Sequence, residues 1–429
     1  MPMTKVDLMT AISRAVLADE DVAPVWDAWV ASLDVKRDQN PIRVQIAPAV
    51  SGVALWRVYP QACWLAQDPR FDVRISTYLA TAEADAADVM LFQRTFLPRM
   101  LVEMQHRAEA GKITILDLDD LIHATPYYNS ARKRIIEEHQ PELYDAAIPY
   151  CSLLTYSTDV LREVYGYHIR EIYPRLTPRT AVLPLCVDEE AWWTVDGNPI
   201  RRYGRDAVVI GWEGSGTHSA DLEVVAPVLA DVMRDHQNVW VALGMCTQCG
   251  RGPLAGLPPE RVFEFMWDGM HHLGGRYTGM LDIGLAPLAL HQPCLTCRGQ
   301  GGVQLDGKLV RCPICDGRAL VMGGEIVAVG DNLFNRAKAP VKVLGYGLHG
   351  VPTVATDIEP YRHCGPTVLV PDNDPAKWRE ELERLIGDAE LRRSLGESSR
   401  EWVLQNSTVK QVGPQWTEAI LGLMEGGRP

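Results

Sequence analysis

No apolar stretch in the sequence approaches the ~18 residues that a membrane-crossing helix needs. Residues 1–40 are too acidic and too polar to read as a secretion signal. Excess positive charge is missing too: 42 Lys and Arg stand against 55 Asp and Glu, giving a formal net charge of −13. That balance excludes nucleic-acid affinity drawn from a broad basic surface and leaves only a local basic groove open. The ten cysteines do not form a scattered disulfide framework, because six of them fall in three Cys-x-x-Cys pairs. The lack of a span or secretion signal makes a cytoplasmic location the expectation, and in such a reducing compartment these pairs read as metal ligands. The other four, Cys63, Cys151, Cys186 and Cys364, stand alone and read as small buried hydrophobes.

With 429 residues, 47% of them hydrophobic and 23% charged, the chain is long enough for two cores of about 150–200 residues each. Residues 3–34 carry helical periodicity (Val6, Leu8, Met9, Ile12, Val16, then Val25, Trp26, Trp29, Leu33) and read as a helical appendage covering 1–40. From Ile42 short apolar strands alternate with helical segments, the pattern of a parallel sheet covered on both faces. A polar stretch around Trp192–Gly204 is the best linker, and a second alternating series follows it. The expected organisation is an N-terminal Rossmann-like domain over 41–200, a second over 201–400 and a C-terminal helical segment over 401–429. In that last segment Trp416, Ile420, Leu421 and Met424 form an apolar face.

Two segments carry the chemistry. In the first, Arg205–Asp221, a buried strand runs into the glycine-rich corner Gly211-Trp-Glu-Gly214-Ser215-Gly216-Thr217-His218 and then a helix starting near Ser219. Glycines permit a tight turn and close ligand approach, Ser215 or Thr217 can cap the helix, and the helix start favours an anion. In the second, Asn335–Asp357, a basic amphipathic helix is ended by Gly350, with Lys338 and Lys342 one turn apart on one face. Those cations either meet the same anion or are solvated surface charges. Asp117, Asp119 and Asp120 stand at the carboxyl end of an apolar strand, where open α/β sheets place ligands. Alternation sends Asp117 and Asp119 to one side, where paired carboxylates can orient an acceptor hydroxyl or, alternatively, one of them caps the next helix. His123 is the second choice for acceptor handling, and Ser51-Gly52 is a weaker candidate loop.

Between the two segments, over 290–332, Cys294-Leu-Thr-Cys297 and Cys312-Pro-Ile-Cys315 bracket a hairpin centred on Asp306-Gly307. Two such knuckles supply the four thiolates of a closed, structural tetrahedral Zn2+ site. Cys246-Thr-Gln-Cys249 is either half of a second site or a metal-free reduced pair.

Ile210–Leu222, Asp282–Leu288, Phe334–Lys342 and Gly350–Asp357 occur in the order found in GT-B glycosyltransferases of the large retaining group 1, and the chain resembles that family over residues 41–425. The cysteine insert is similar to the zinc modules of DnaJ-type chaperones. The resemblance implies an α/β, GT-B architecture of two Rossmann-like domains facing a cleft, with a zinc-ribbon insertion in the second. It also implies transfer from a nucleoside-diphosphate sugar to an acceptor hydroxyl, the acceptor being a glycan, lipid, protein or modified nucleic acid. Under that reading the catalytic candidates are Asp117, Asp119, His123, His218 and Lys338. Its donor positions map to Gly214, Ser215, Gly216, Thr217, Lys342 and Asp357, and Trp267, at the family's base position, either stacks on the base or belongs to the core. Metal-independent chemistry follows, in which a helix end and lysines neutralise the departing diphosphate. The chain departs from the family at Gly345, where a glutamate usually holds the donor ribose. That departure keeps two other readings open: a weak or inactive homologue that binds partners through its zinc insert, and an epimerase-like enzyme of the same fold. Replacing Cys294 and Cys297 by serine is expected to lower the zinc content by about one ion per chain, measured by mass spectrometry.

Overall fold

The computed structural model describes residues 3–49, 54–79, 81–94, 96–191, 206–214, 216–244, 254–265, 277–293, 300, 302–305, 308–311, 319–322 and 325–426. The first half builds strands β1 (Ile42–Ala47), β2 (Phe71–Ile75), β3 (Val89–Gln93), β4 (Ile113–Leu118), β5 (Leu153–Tyr156) and β6 (Thr180–Val182). They pair in the order β2-β1-β3-β4-β5-β6, with every ladder parallel. Strands β3 and β5 are buried along their whole length, as expected of strands covered by helices on both faces.

The second half contributes β7 (Val208–Glu213), β8 (Val239–Gly244), β9 (Val262–Phe265) and β10 (Ile283–Ala286). Five short strands follow, β11 (His291–Pro293), β12 (Gly302–Leu305), β13 (Lys308–Arg311), β14 (Ala319–Met322) and β15 (Glu325–Asp331), and then β16 (Thr353–Thr356) and β17 (Val368–Val370). The second sheet, also all parallel, runs β17-β16-β10-β7-β8-β9, so β11–β15 form an insertion between β10 and β16. Within it β12 and β13 are antiparallel, with Leu305 opposite Lys308. The pairing of Gly302 with Arg311 sets side by side the two chain ends that lead towards Cys297 and Cys312. The cysteines of all three Cys-x-x-Cys pairs, Cys246, Cys249, Cys294, Cys297, Cys312 and Cys315, lie outside the described residues, as do Ser51-Gly52, the 192–204 stretch, Ser215 and Trp267. Among the isolated cysteines, Cys63, Cys186 and Cys364 are buried and Cys151 is half-buried.

Helices Lys5–Leu17 and Ala23–Ser32 cover the first sheet rather than standing apart, burying Leu8, Ile12, Trp26 and Trp29 in the same core as β1 and β2. Trp26 also donates its indole N–H to the Val73 carbonyl at 2.9 Å. The helix Val409–Glu425 returns to this core from the far end of the chain. It lies on helix Tyr59–Ala66, buries Trp416 and Ile420, and leaves Met424 exposed. Gly413 allows the approach, because a Cβ there would stand 2.4 Å from the Trp64 ring. The basic helix expected over 335–349 is two helices, Leu333–Arg336 and Val341–Leu348, since Pro340 cannot donate the hydrogen bond that would continue the first. The first of them docks across the halves: Phe334 and Ala337 sit in the core around β4 and β5, and the Thr158 hydroxyl donates to the Ala337 carbonyl at 2.9 Å.

No helix among the described residues is long and apolar enough to cross a membrane. Because Trp416 is buried to 2% exposure and the Arg57 guanidinium lies 5.4 Å from its ring, Trp416→Ala is expected to cost about 3–5 kcal/mol in chemical denaturation.

Candidate active site

In an open parallel sheet, ligands collect outside the carboxyl ends of the strands where the strand order reverses. The first sheet reverses between β1 and β3 and the second between β7 and β10. Both points open onto one cavity of about 630 Å³, lined by Pro48, Ala49 and Arg94 from the first sheet and by Glu213, Gly214 and Leu288 from the second. Asp119, Asp120, Thr217, His218, Lys338 and Lys342 share the same walls. Gly214, Thr217 and His218 and the two lysines therefore meet in a single hollow, although they are separated by more than a hundred residues in sequence.

The second-half wall is organised by Asp221. Its Oδ1 accepts the Ala289 N–H and the Asn335 side-chain amide, each at 2.8 Å, and its Oδ2 is 2.7 Å from His218 Nδ1. Burial alone would raise the Asp221 carboxyl, but these hydrogen bonds hold it below its ordinary value. An ionised carboxylate only accepts, so His218 carries its proton on Nδ1 and keeps Nε2 as an acceptor. Burial, reinforced by Lys342, lowers the His218 pKa to about 4, which leaves the imidazole neutral at physiological pH. Burial likewise lowers Lys342 to about 8, where it stands within 5.8 Å of the Trp212 ring. Glu213 moves the other way, pushed up to about 7 by burial against the pull of Lys342, and its buried Oε1 has no hydrogen-bond partner among the described residues.

On the opposing wall Arg94, in the left-handed region at φ 50°, reaches Asp119 at 3.6 Å and Asp120 at 3.8 Å. Lys338 spans the crevice to Asp120 at 3.8 Å, with its ammonium 4.3 Å from the Phe334 ring. A bulky residue at positive φ is costly and survives where the surroundings enforce it, here by an N–H bond to the Asp117 carbonyl at 2.9 Å.

Several expected roles change. Asp117 and Asp119 do not form a pair. Asp119 faces the cavity, whereas Asp117 is fully buried behind it, bonded by Arg57 at 2.6 and 2.9 Å and by the Thr155 hydroxyl at 2.5 Å. Strand β4 ends at Leu118, so alternation no longer governs Asp119. His123 is not among the cavity-lining residues and instead turns towards Tyr165 and Asp145. Asp357 also lies off the cavity, paired with Arg362 at 2.6 Å.

The anion cup expected at the glycine corner is partly filled by the protein itself. Gly214 N–H donates to the Gly244 carbonyl at 3.1 Å and Glu213 N–H to the Tyr346 hydroxyl at 3.0 Å. Gly214 is glycine because a Cβ would meet the Trp212 ring at 2.6 Å. Gly216 and Thr217 belong to a 3-10 turn, Gly216–His218. The following helix, Ser219–Glu223, has no side-chain cap and is too short for a strong dipole. The cations that line the hollow are Lys342, Lys338, Arg94 and Arg134. Arg94 and Glu213 carry the signal that already marked Asp120: each ends or follows an apolar strand of a parallel sheet, where ligands bind.

Structures similar to this one include sucrose-phosphate synthase from Thermosynechococcus elongatus, with a TM-score of 0.58 and 10% identity over 90% of this chain and 100% of that one. Anabaena HepE in complex with UDP and glucose aligns with a TM-score of 0.57 and 11% identity, over 90% of this chain and 100% of that one. The fold is GT-B. An alpha,alpha-trehalose-phosphate synthase (UDP-forming) from Burkholderia vietnamiensis gives a TM-score of 0.54 and 9% identity, over 90% and 100% of the two chains. No protein-family model matches the chain, and no curated protein matches it in sequence.

Because Asp117 neutralises a guanidinium that is itself fully buried, Asp117→Ala leaves an uncompensated interior charge. Its expected cost is about 3–5 kcal/mol, read by urea denaturation, and pairing it with Arg57→Met recovers part of that loss.

Proposed function

We propose that the chain is a glycosyltransferase that moves a sugar from a nucleoside-diphosphate sugar to an acceptor hydroxyl, without a metal ion in the chemical step. The observation that carries this reading is the GT-B crevice in which both topological switch points share one cavity with Lys338, Lys342 and Arg94. Breaking the bond between anomeric carbon and phosphate builds negative charge on the departing diphosphate, and fixed cations in a partly dry hollow stabilise it. Lys342 takes the main share of that charge, since burial has already removed much of its hydration. Lys338 approaches from the junction of the two halves.

His218, neutral and with Nε2 as its free acceptor, suits a sugar hydroxyl rather than the diphosphate. Glu213 is the matching acceptor for donor hydroxyls. It lines the cavity together with Gly345, the position where the resembled family carries a glutamate, so the carboxylate enters from β7 rather than from the helix Val341–Leu348. Asp119 and Asp120 lie across the cavity, placed to orient the acceptor hydroxyl, and Arg94 holds them there. HepE was solved with UDP and glucose, which supports uridine diphosphate as the first probe. The four cysteines of the insert are assigned to a structural Zn2+, and a cytoplasmic location fits reduced thiolates.

A donor screen that detects released nucleoside diphosphate tests this reading, and absence of both release and uridine-diphosphate binding would overturn it. Ionised Glu213 is present above about pH 7 and protonated Lys342 below about pH 8. Turnover of the free protein with donor is therefore expected to follow a narrow bell between those values. Glu213→Gln should remove the acidic limb. Lys342→Met should remove the basic limb and lower kcat by about 10²–10³.

A further inference from the structure

Outside the crevice, three donor side chains converge from three separate elements. His123 sits in the 3-10 turn Ile122–Ala124 after β4, Asp145 on the helix Gln140–Ala147 and His168 on the helix Asp159–Ile172. Both imidazoles aim Nε2 at the same carboxylate oxygen, Asp145 Oδ1, at 3.1 Å from His123 and 2.8 Å from His168. The ligand atoms of all three lie within 4.8 Å of one another.

We propose that His123, Asp145 and His168 bind a divalent cation of the zinc class, at a site distinct from the cysteine insert. Metal–nitrogen and metal–oxygen bonds of about 2.0–2.2 Å in a tetrahedron place neighbouring donors roughly 3.4 Å apart, so a few tenths of an ångström of opening admits the ion. Two imidazoles and one carboxylate are a donor set that suits zinc and the later first-row metals rather than magnesium or calcium. Without metal, Asp145 accepts from both imidazoles, so each Nε2 carries its proton and the ion displaces those protons. When His123 ligates through Nε2 its proton sits on Nδ1, 3.1 Å from the Tyr165 hydroxyl oxygen that can accept it, the usual outer support of a ligating histidine. The Tyr173 hydroxyl donates to the Asp145 backbone carbonyl at 3.0 Å and steadies the third ligand.

Tyr144 and Tyr165 wall the inner side, with ring centroids 5.9 and 5.3 Å from that of His123. The ligands keep 20%, 26% and 29% side-chain exposure for His123, Asp145 and His168, which provides an entry path and an open position for water. His123 follows Asp119 and Asp120 in the same loop, so the ion ties the acceptor wall of the crevice to two helices. Its role is to position that wall. The comparable group Asp85, Glu103 and His106 differs, because the one short contact it shows, His106 to Asp85 at 3.4 Å, joins side chains that are 56% and 43% exposed.

The test uses the full chain, stripped with EDTA and reloaded with Zn2+ or Co2+. Wild type is expected to hold one more zinc per chain than His123→Ala/His168→Ala, by mass spectrometry. With Co2+ it should show a visible absorption component, lost in the variant, that lacks the thiolate charge-transfer band given by the cysteine sites. Tyr165→Phe is expected to weaken zinc binding at this site about 10–100-fold. Asp145→Asn, which keeps side-chain volume and one acceptor, maintains the comparison if removing both histidines lowers the metal-free melting temperature. Equal zinc content and equal cobalt spectra in wild type, the double variant and Asp145→Asn would overturn the site.

Discussion

The crevice depends on a charge taken out of water. Asp221 is 2% exposed, and a buried carboxylate is tolerated only when its lone pairs are met. The donors that meet them come from the 3-10 turn before its own helix, from the loop after β10 and from the helix Leu333–Arg336. One side chain thus fixes the relative positions of three segments and, through its ionised state, dictates the tautomer of His218. Asn335 also donates to the Ala289 carbonyl at 3.0 Å, closing a loop in which no partner can move alone. Preorganisation of this kind is what electrostatic stabilisation of a developing charge requires, because dipoles fixed in advance need no rearrangement when the charge appears.

The same logic explains how an acidic protein can receive an anion. A formal charge of −13 spread over the surface is screened beyond a Debye length of about 8–10 Å, whereas the cations in the crevice act at contact range between low-dielectric walls. Arg94 and Lys338 are partly neutralised by Asp119 and Asp120, and Lys342 by Asp221 and Glu213. Both walls therefore carry paired charges before any ligand arrives: Arg94 with Asp119 and Asp120 on the first-half side, Lys342 with Glu213 and Asp221 on the second.

Much of this architecture was legible in the chain because parallel strands buried on both faces write themselves as short apolar runs, and because Gly214, Lys338 and Lys342 sit beside such runs. The failures have local causes. The two-residue alternation that would pair Asp117 with Asp119 ends with β4 at Leu118 and does not reach Asp119. Pro340 breaks the one helix that the spacing of Lys338 and Lys342 implies, yet both line the same cavity. His123 was drawn towards the acceptor by its nearness in sequence to Asp119 and Asp120. Its actual partners, Asp145 and His168, come from later helices, and no local pattern marks them. Gly214 was credited to a ligand's approach, while the contact that requires glycine is with the Trp212 ring two residues earlier.

The return of helix Val409–Glu425 to the first core has a consequence for how the molecule is made. Trp416 and Ile420 complete packing around Trp56, Tyr59 and Ala62, residues separated from them by more than 350 positions. During synthesis the first sheet can pair as it emerges, but its outer layer stays open until the other half has been translated. Contacts of such sequence separation slow the final step and leave apolar surface uncovered for the whole interval. A ribosome-bound nascent chain lacking that helix would therefore be a natural client for a holding chaperone.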